Sequence, residues 1–396
     1  MSKRNAILIL LTLILVAGSF LLWKYIPATP RITESGSEEA QYIGISTETN
    51  GPLTPTDRNN IFWTSESGEG GVYYSTVPVY FPSLLRVGNG FASPDKDSII
   101  LVDQDLHEKR SFPVPGLGTS TQSASANSRN YMHGVFLFNT GDSTSSNSRK
   151  VVAVSSGGVR SIDRENYLSA LTACNNGTIK WIEFFPRDKE SIDDKGTAQI
   201  VTWTPDGEIE TSDIIWDFQY EPGHENQLAC DSSSNVIISE DNNGKPVSLL
   251  LKSLGEKTEV EGKVDLPEIP PPAMARFSKV IQGTLYSLDK DNALTAVDIR
   301  TGSIKYRETL DVKGPSPVSV TFENDIAYLV VRPDRFENKQ AVLPVDLKNP
   351  QCVGEVVPLM GYDETSQKSR LERLGNSFMV ATSVLPIDVD RKPICR

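Results

Sequence analysis

Seven polar turns recur along the chain, each following a short apolar run and leading into another. They centre on Asp103, Ser155, Asp206, Asp241, Asp298, Asp346 and Asp388, at spacings of 52, 51, 35, 57, 48 and 42, a mean of 47.5. A period of about 40–50 residues is the mark of four-stranded units repeated around an axis. The runs between turns are short and rich in β-branched and aromatic residues, as in SIILV, KVVAV, QIVTW, NVIIS and DIAYLVV. That length and composition belong to strands, not helices. Several runs are apolar on both parities: Ile326, Tyr328 and Val330 alternate with Ala327, Leu329 and Val331. An open sheet with one wet face would alternate apolar with polar. Sheets covered on both faces by their neighbours would not.

The expected fold class is therefore all-β, a seven-bladed β-propeller over residues 60–396. Those 337 residues allow about 48 per unit, and a single sandwich needs fewer units. The last unit is short, because eight residues follow Asp388. Residues 60–81 carry strand-like runs without an earlier partner, and pairing them with 376–389 would close the ring and remove its open edges. Only Glu364–Leu374 reads as helical, with Gly375 as its stop.

Ahead of this body, Ala6–Trp23 is eighteen residues without a charge. As a helix it would span about 27 Å, close to the hydrocarbon thickness of a bilayer. It closes on Trp23-Lys24-Tyr25, interface-type residues, where a cleaved signal peptide would have its small-residue site. The reading is one uncleaved transmembrane helix, with residues 1–26 as cytoplasmic tip and anchor. Lys3 and Arg4 favour a cytoplasmic N-terminus, so the body is expected outside the cell membrane. Residues 27–59 are rich in Pro, Ser, Thr, Gly and Glu, and such a composition reads as a flexible stalk. The net charge is −12; without the three basic residues of the anchor region the rest carries −15. A body that acidic repels phosphate backbones, which excludes nucleic acid as an expected partner.

One repeat is sharper than the others. Ala296-Val297-Asp298-Ile299-Arg300-Thr301-Gly302-Ser303-Ile304-Lys305-Tyr306 resembles the A-x-D-x-x-T-G-x-x-x-W repeat of the PQQ-like, quinoprotein-type β-propellers, with Tyr306 where that family usually has Trp. The motif makes physical sense in its own terms. Asp298 and Thr301 can bond turn backbone, Gly302 supplies a positive φ, and the aromatic packs on the next unit. Ala296, Asp298, Thr301, Gly302 and Tyr306 are thus structural repeat residues. The resemblance implies a propeller; it does not imply a cofactor, since members of that superfamily also serve as binding or assembly modules.

Chemistry-bearing motifs are sparse. The vicinal cysteines often seen in enzymatic quinoproteins do not occur. The acid-rich turns Asp95/Asp97, Asp103/Asp105 and Asp289/Asp291 do not continue into a calcium loop. His107 and His224 each precede Glu, as a zinc motif would, but no second histidine follows at the required spacing; His133 is the third and last histidine. Trp63, Trp181, Trp203 and Trp216 read as packing between units rather than as a ligand cleft. Four cysteines suit an exported chain and allow two bridges in three connectivities. Cys174 and Cys230 occupy matching places in consecutive repeats, and pairing Cys352 with Cys395 would staple the C-terminal end.

The functional expectation is a non-enzymatic, membrane-anchored binding or scaffolding module at the cell envelope. It has no cofactor, no catalytic or metal residues, and an envelope or secreted protein as its partner. The alternative is an exported enzyme of quinoprotein or lactonase type with its site at the central funnel.

Overall fold

The computed structural model describes residues 39–393 apart from 51–54, 67–69, 77–82, 127–132, 141–147, 186–194, 218–226, 231–235, 242, 255–256, 268, 270–276, 313–316, 333–339 and 360–376. The expected anchor at 6–23, the helical reading of Glu364–Leu374, His224 and Cys395 lie outside the described residues. Among those residues no helix occurs, and none long and apolar enough to cross a membrane.

The chain begins as an antiparallel meander of β1 (Tyr42–Asn50), β2 (Pro55–Thr64) and β3 (Gly70–Thr76). A four-stranded sheet follows, with β4 (Leu85–Val87), β5 (Gly90–Asp95), β6 (Ser98–Asp103) and β7 (Lys109–Pro113). The next holds β8 (Thr119–Ser125), β9 (Gly134–Asn139), β10 (Arg149–Ser155) and β11 (Gly158–Arg164). Two further meanders come next. One is β12 (Tyr167–Ala173), β13 (Ile179–Phe184), β14 (Lys195–Trp203) and β15 (Ile209–Asp217). The other is β16 (Gln227–Leu228), β17 (Val236–Glu240), β18 (Pro246–Leu254) and β19 (Lys257–Asp265). A parallel contact of Asp213–Ile214 with Lys257–Thr258 joins β15 to β19, so these two form one eight-stranded sheet.

Then come β20 (Ser278–Ile281), β21 (Thr284–Leu288), β22 (Ala293–Asp298) and β23 (Ile304–Thr309). The last sequential sheet is β24 (Ser319–Glu323), β25 (Ile326–Val331), β26 (Ala341–Asp346) and β27 (Val357–Pro358). Finally β28 (Ser377–Pro386) returns to pair with β1, giving a fourth strand to the first meander in the order β28-β1-β2-β3. The fold is all-β and β-propeller-like, with five four-stranded blades and one eight-stranded sheet.

Packing explains the two-sided apolar runs. Ile326, Tyr328 and Val330 of β25 pack toward Tyr42 and Phe62 of the first sheet. The alternate residues Ala327, Leu329 and Val331 pack the other way, against Leu288 and Leu294. Val236 and Ile238 meet Leu285 and Val297 on one side, while Ile237 meets Ile182 and Ile200 on the other. Trp181 and Trp203 fill the space against Val135 and Val151, and Trp63 packs with Phe91 and Ile100. These tryptophans are core between sheets.

Two expectations are corrected here. Tyr42–Asn50 and Pro55–Thr64, placed largely in the stalk of 27–59, are strands β1 and β2. Tyr42-Ile43-Gly44-Ile45 is a short apolar run inside a Ser-, Thr- and Glu-rich stretch, and an average over that stretch hides it. Closure also differs in its partner: β28 pairs with β1, not with 60–81, and β2 and β3 lie farther out in the same sheet.

The uneven turn spacings have a structural reason. The turns at Asp103, Ser155, Asp206, Asp298 and Asp346 join the third strand of a meander to the fourth, whereas Asp241 joins second to third, between β17 and β18. The spacings of 35 and 57 around it come from that change of place. Asp241 marks a real turn nonetheless, its Oδ1 accepting from the amides of Asn243 and Lys245, both at 2.9 Å.

Cys174, just after β12, is bonded to Cys230, just after β16, which fastens the two meanders of the eight-stranded sheet at their first strands. Cys352 is disulfide-bonded as well. Closing a loop of 56 residues restricts the unfolded chain strongly. Replacing Cys174 and Cys230 together by Ser is therefore expected to cost about 2–4 kcal/mol, read as a lower calorimetric Tm under oxidising conditions.

Candidate functional site

The first strand of each meander, with β28 serving for the closing sheet, lies innermost, and the fourth strands β7, β11, β19 and β23 are largely exposed. Polar side chains on the innermost strands reach sideways to the next innermost strand. Gln122 of β8 accepts from Leu171 N of β12 at 3.4 Å. Thr172 of β12 contacts Cys230 Sγ at 3.4 Å. Gln227 of β16 donates to Ser278 Oγ of β20 at 2.8 Å and accepts from Val280 N at 2.9 Å. Lys279 of β20 donates to Phe322 O of β24 at 3.3 Å. Ser319 of β24 donates to Ala381 O of β28 at 2.7 Å, and Thr321 contacts Ser383 at 3.2 Å. Ser383 in turn donates to Leu84 O, beside β4, at 3.3 Å.

The strongest member of this belt is an ion pair. Arg86 of β4 meets Glu323 at the end of β24, Nε to Oε1 at 2.5 Å and Nη2 to Oε2 at 3.1 Å. The side chains are only 6% and 8% exposed. Arg86 also donates to the carbonyls of Pro386 and, at 3.2 Å, Ile387, and its guanidinium lies 4.8 Å from the Phe91 ring centre. One arginine thus ties the second sheet to the last sequential sheet and to β28 between them. Burial pushes the Tyr328 hydroxyl far above its usual range, with Glu323 adding to the rise. Tyr42 meets Tyr328 edge to face at 6.2 Å, and Arg391 lies 5.2 Å over the Tyr42 ring while pairing with Glu66.

The five repeat residues sit away from this centre. Ala296 is fully buried in β22. Asp298 Oδ1 accepts from the amides of Arg300 and Thr301 at 3.0 Å and from Thr301 Oγ1 at 3.1 Å. Gly302 has φ +69°, and an added Cβ would stand 2.6 Å from Asp265 O. Tyr306 reaches the next sheet, donating to Leu347 O at 2.6 Å. These are fastening roles. Gly302→Ala is expected to cost about 1–3 kcal/mol, from the left-handed backbone and the clash together, read by denaturant unfolding.

Two of the acidic candidates serve their own turns. Asp103 and Asp289 bond the backbone of their own turns. His107 is exposed, and His133 is buried. Among the described residues, no three His, Cys, Asp or Glu side chains gather in a way that would hold a metal ion. The belt itself was missed in the sequence. Its members are isolated Ser, Thr, Gln, Lys and Arg residues on short strands far apart in the chain, and only the period hinted that those strands meet.

No family model matches the chain, and no curated protein matches it. Among solved structures, it is similar to the periplasmic gluconolactonase PpgL of Pseudomonas aeruginosa at 12% identity and TM-score 0.45, over 81% of this chain and 97% of that one. It is similar to apo AztD of Citrobacter koseri at 11% identity and TM-score 0.41, over 88% and 98%. A Synechocystis apocarotenoid oxygenase gives 9% identity and TM-score 0.45, over 89% and 97%. Likenesses this shallow say nothing about chemistry.

Proposed function

We propose that the chain is a seven-bladed propeller, anchored in the cell membrane by residues 6–23. Its body outside the membrane binds a protein or ligand and works as a scaffold, not as an enzyme. The blade count is supported by the eight-stranded sheet. Its halves β12–β15 and β16–β19 face each other across the cluster of Ile182, Ile200, Ile237 and Leu249, as separate blades do. The one strand pairing between them among the described residues is the short parallel contact at their outer strands. The repeat around Asp298 supports kinship with the PQQ-like propellers, and a disulfide supports an oxidising compartment.

The observation that carries the non-catalytic reading is the use made of Arg86 and Glu323. A catalytic acid or electrophile must have bonding capacity left for substrate. Arg86 instead spends four of its five N–H donors on Glu323 and on two backbone carbonyls, and both Glu323 oxygens are on Arg86. The centre where a propeller enzyme would place its chemistry holds blades together here.

Protease added to intact cells stripped of their wall should degrade the body of the full-length protein; a protected body would refute the topology. A pull-down of the solubilised full-length protein, with mass spectrometry, should return a stoichiometric envelope or secreted partner. Titration with PQQ and calcium should give no heat, and turnover of alcohols, sugars or lactones would overturn the scaffold reading.

A further inference from the structure

One member of the central belt has bonding capacity left. An ammonium has three donors, and among the described residues Lys279 Nζ makes one hydrogen bond, to Phe322 O. Lys279 is half-buried in the seam between β20 and β24, flanked by Ser278, whose Oγ accepts from Gln227, and Val280, whose amide donates to Gln227. Its nearest opposite charge, Glu323, is already held by both oxygens on Arg86. Arg86 and Glu323 pair with each other, so among the described residues of the seam Lys279 is left without an ion-pair partner of its own. A cation withdrawn from water without a counter-charge is costly, and a bound anion relieves that cost.

We propose that Lys279 anchors a binding site for a small oxyanion, a carboxylate or a phosphate, in the seam between β20 and β24. Electrostatics agree with the geometry: burial lowers the Lys279 amine to about 8, and Glu323 only partly opposes the fall. An anion of single charge neutralises the seam, whereas a cation or a neutral sugar leaves the ammonium as it is. The site goes beyond the scaffold reading, because a protein held on the rim does not need Lys279. A silent anion titration and an empty pull-down are therefore separate results.

The test uses the full-length protein in detergent, labelled with ¹³C,¹⁵N-lysine, and follows the Lys279 Cε and Nζ resonances against pH. The resonances are assigned by their loss in Lys279→Met. Three buffers are compared: chloride only, acetate, and inorganic phosphate. An anion that binds only the ammonium raises the midpoint, by about one unit at a ten-fold excess over Kd. The expected result is a midpoint below those of the other lysines in chloride, moved upward by acetate or by phosphate. The anion that moves it names the source. One midpoint unchanged in all three buffers overturns the site. Should Lys279→Met fail to fold, Lys279→Arg supplies the assignment, and the wild-type titration still decides.

Discussion

Truncation after residue 376, which removes β28, should abolish the cooperative melt of the body. β28 pairs with β1 along its length, from Tyr42 against Pro386 to Asn50 against Ser377. Its Ala381 and Val384 fill the cluster that includes Tyr42, Phe62, Tyr328 and Val330. It also carries the acceptors or donors of the Ser319, Thr321 and Leu84 links and receives Arg86 on Pro386 O. Without it, one edge of β1 is bare, two neighbouring sheets lose their contact, and the guanidinium loses an acceptor. An unpaired edge and an opened core act together. Calorimetry should show a broad, low-enthalpy transition or none. A truncated chain with the midpoint and enthalpy of the intact one would show that β28 is dispensable.

Glu323→Ala should be the most damaging single substitution at the centre. It strands the Arg86 charge in a site where that side chain is 6% exposed. Breaking a buried pair from one side costs about 3–5 kcal/mol, whereas replacing both partners by apolar residues of similar size is often neutral. For a body of this size the loss corresponds to a fall in Tm of roughly 4–7 °C. Arg86→Met combined with Glu323→Leu should recover part of it. Recovery is incomplete, because Arg86 also satisfies the carbonyls of Pro386 and Ile387. A Glu323→Ala protein within about 1 kcal/mol of the wild type would mean that water reaches the pair and that it fastens nothing.

What the sequence made legible was whatever repeats or alternates. Residues 326–331 state in six letters that both faces of β25 are covered, and Asp298 with Gly302 states how a turn is built. β1 escaped because two isoleucines among threonines and serines do not outweigh their surroundings, although pairing on both edges makes such a strand central. Asp241 looks in phase with the other turns in the sequence because an Asx turn has the same local chemistry wherever it falls in a meander. The Arg86–Glu323 pair is separated by 237 residues. No local pattern marks it, since its geometry exists only once the sheets have closed on each other.

Closure itself is tested most directly by native-state hydrogen exchange on the amides of β1 and β28. Ile43, Ile45 and Val384 are buried and paired on the seam where the two ends of the chain meet. Their amides should exchange only through global unfolding, with the same protection as Val151 and Val152 in the middle of β10. Exchange of the β1 and β28 amides through a much lower opening free energy, while β10 stays protected, would contradict a body held shut by that strand pair.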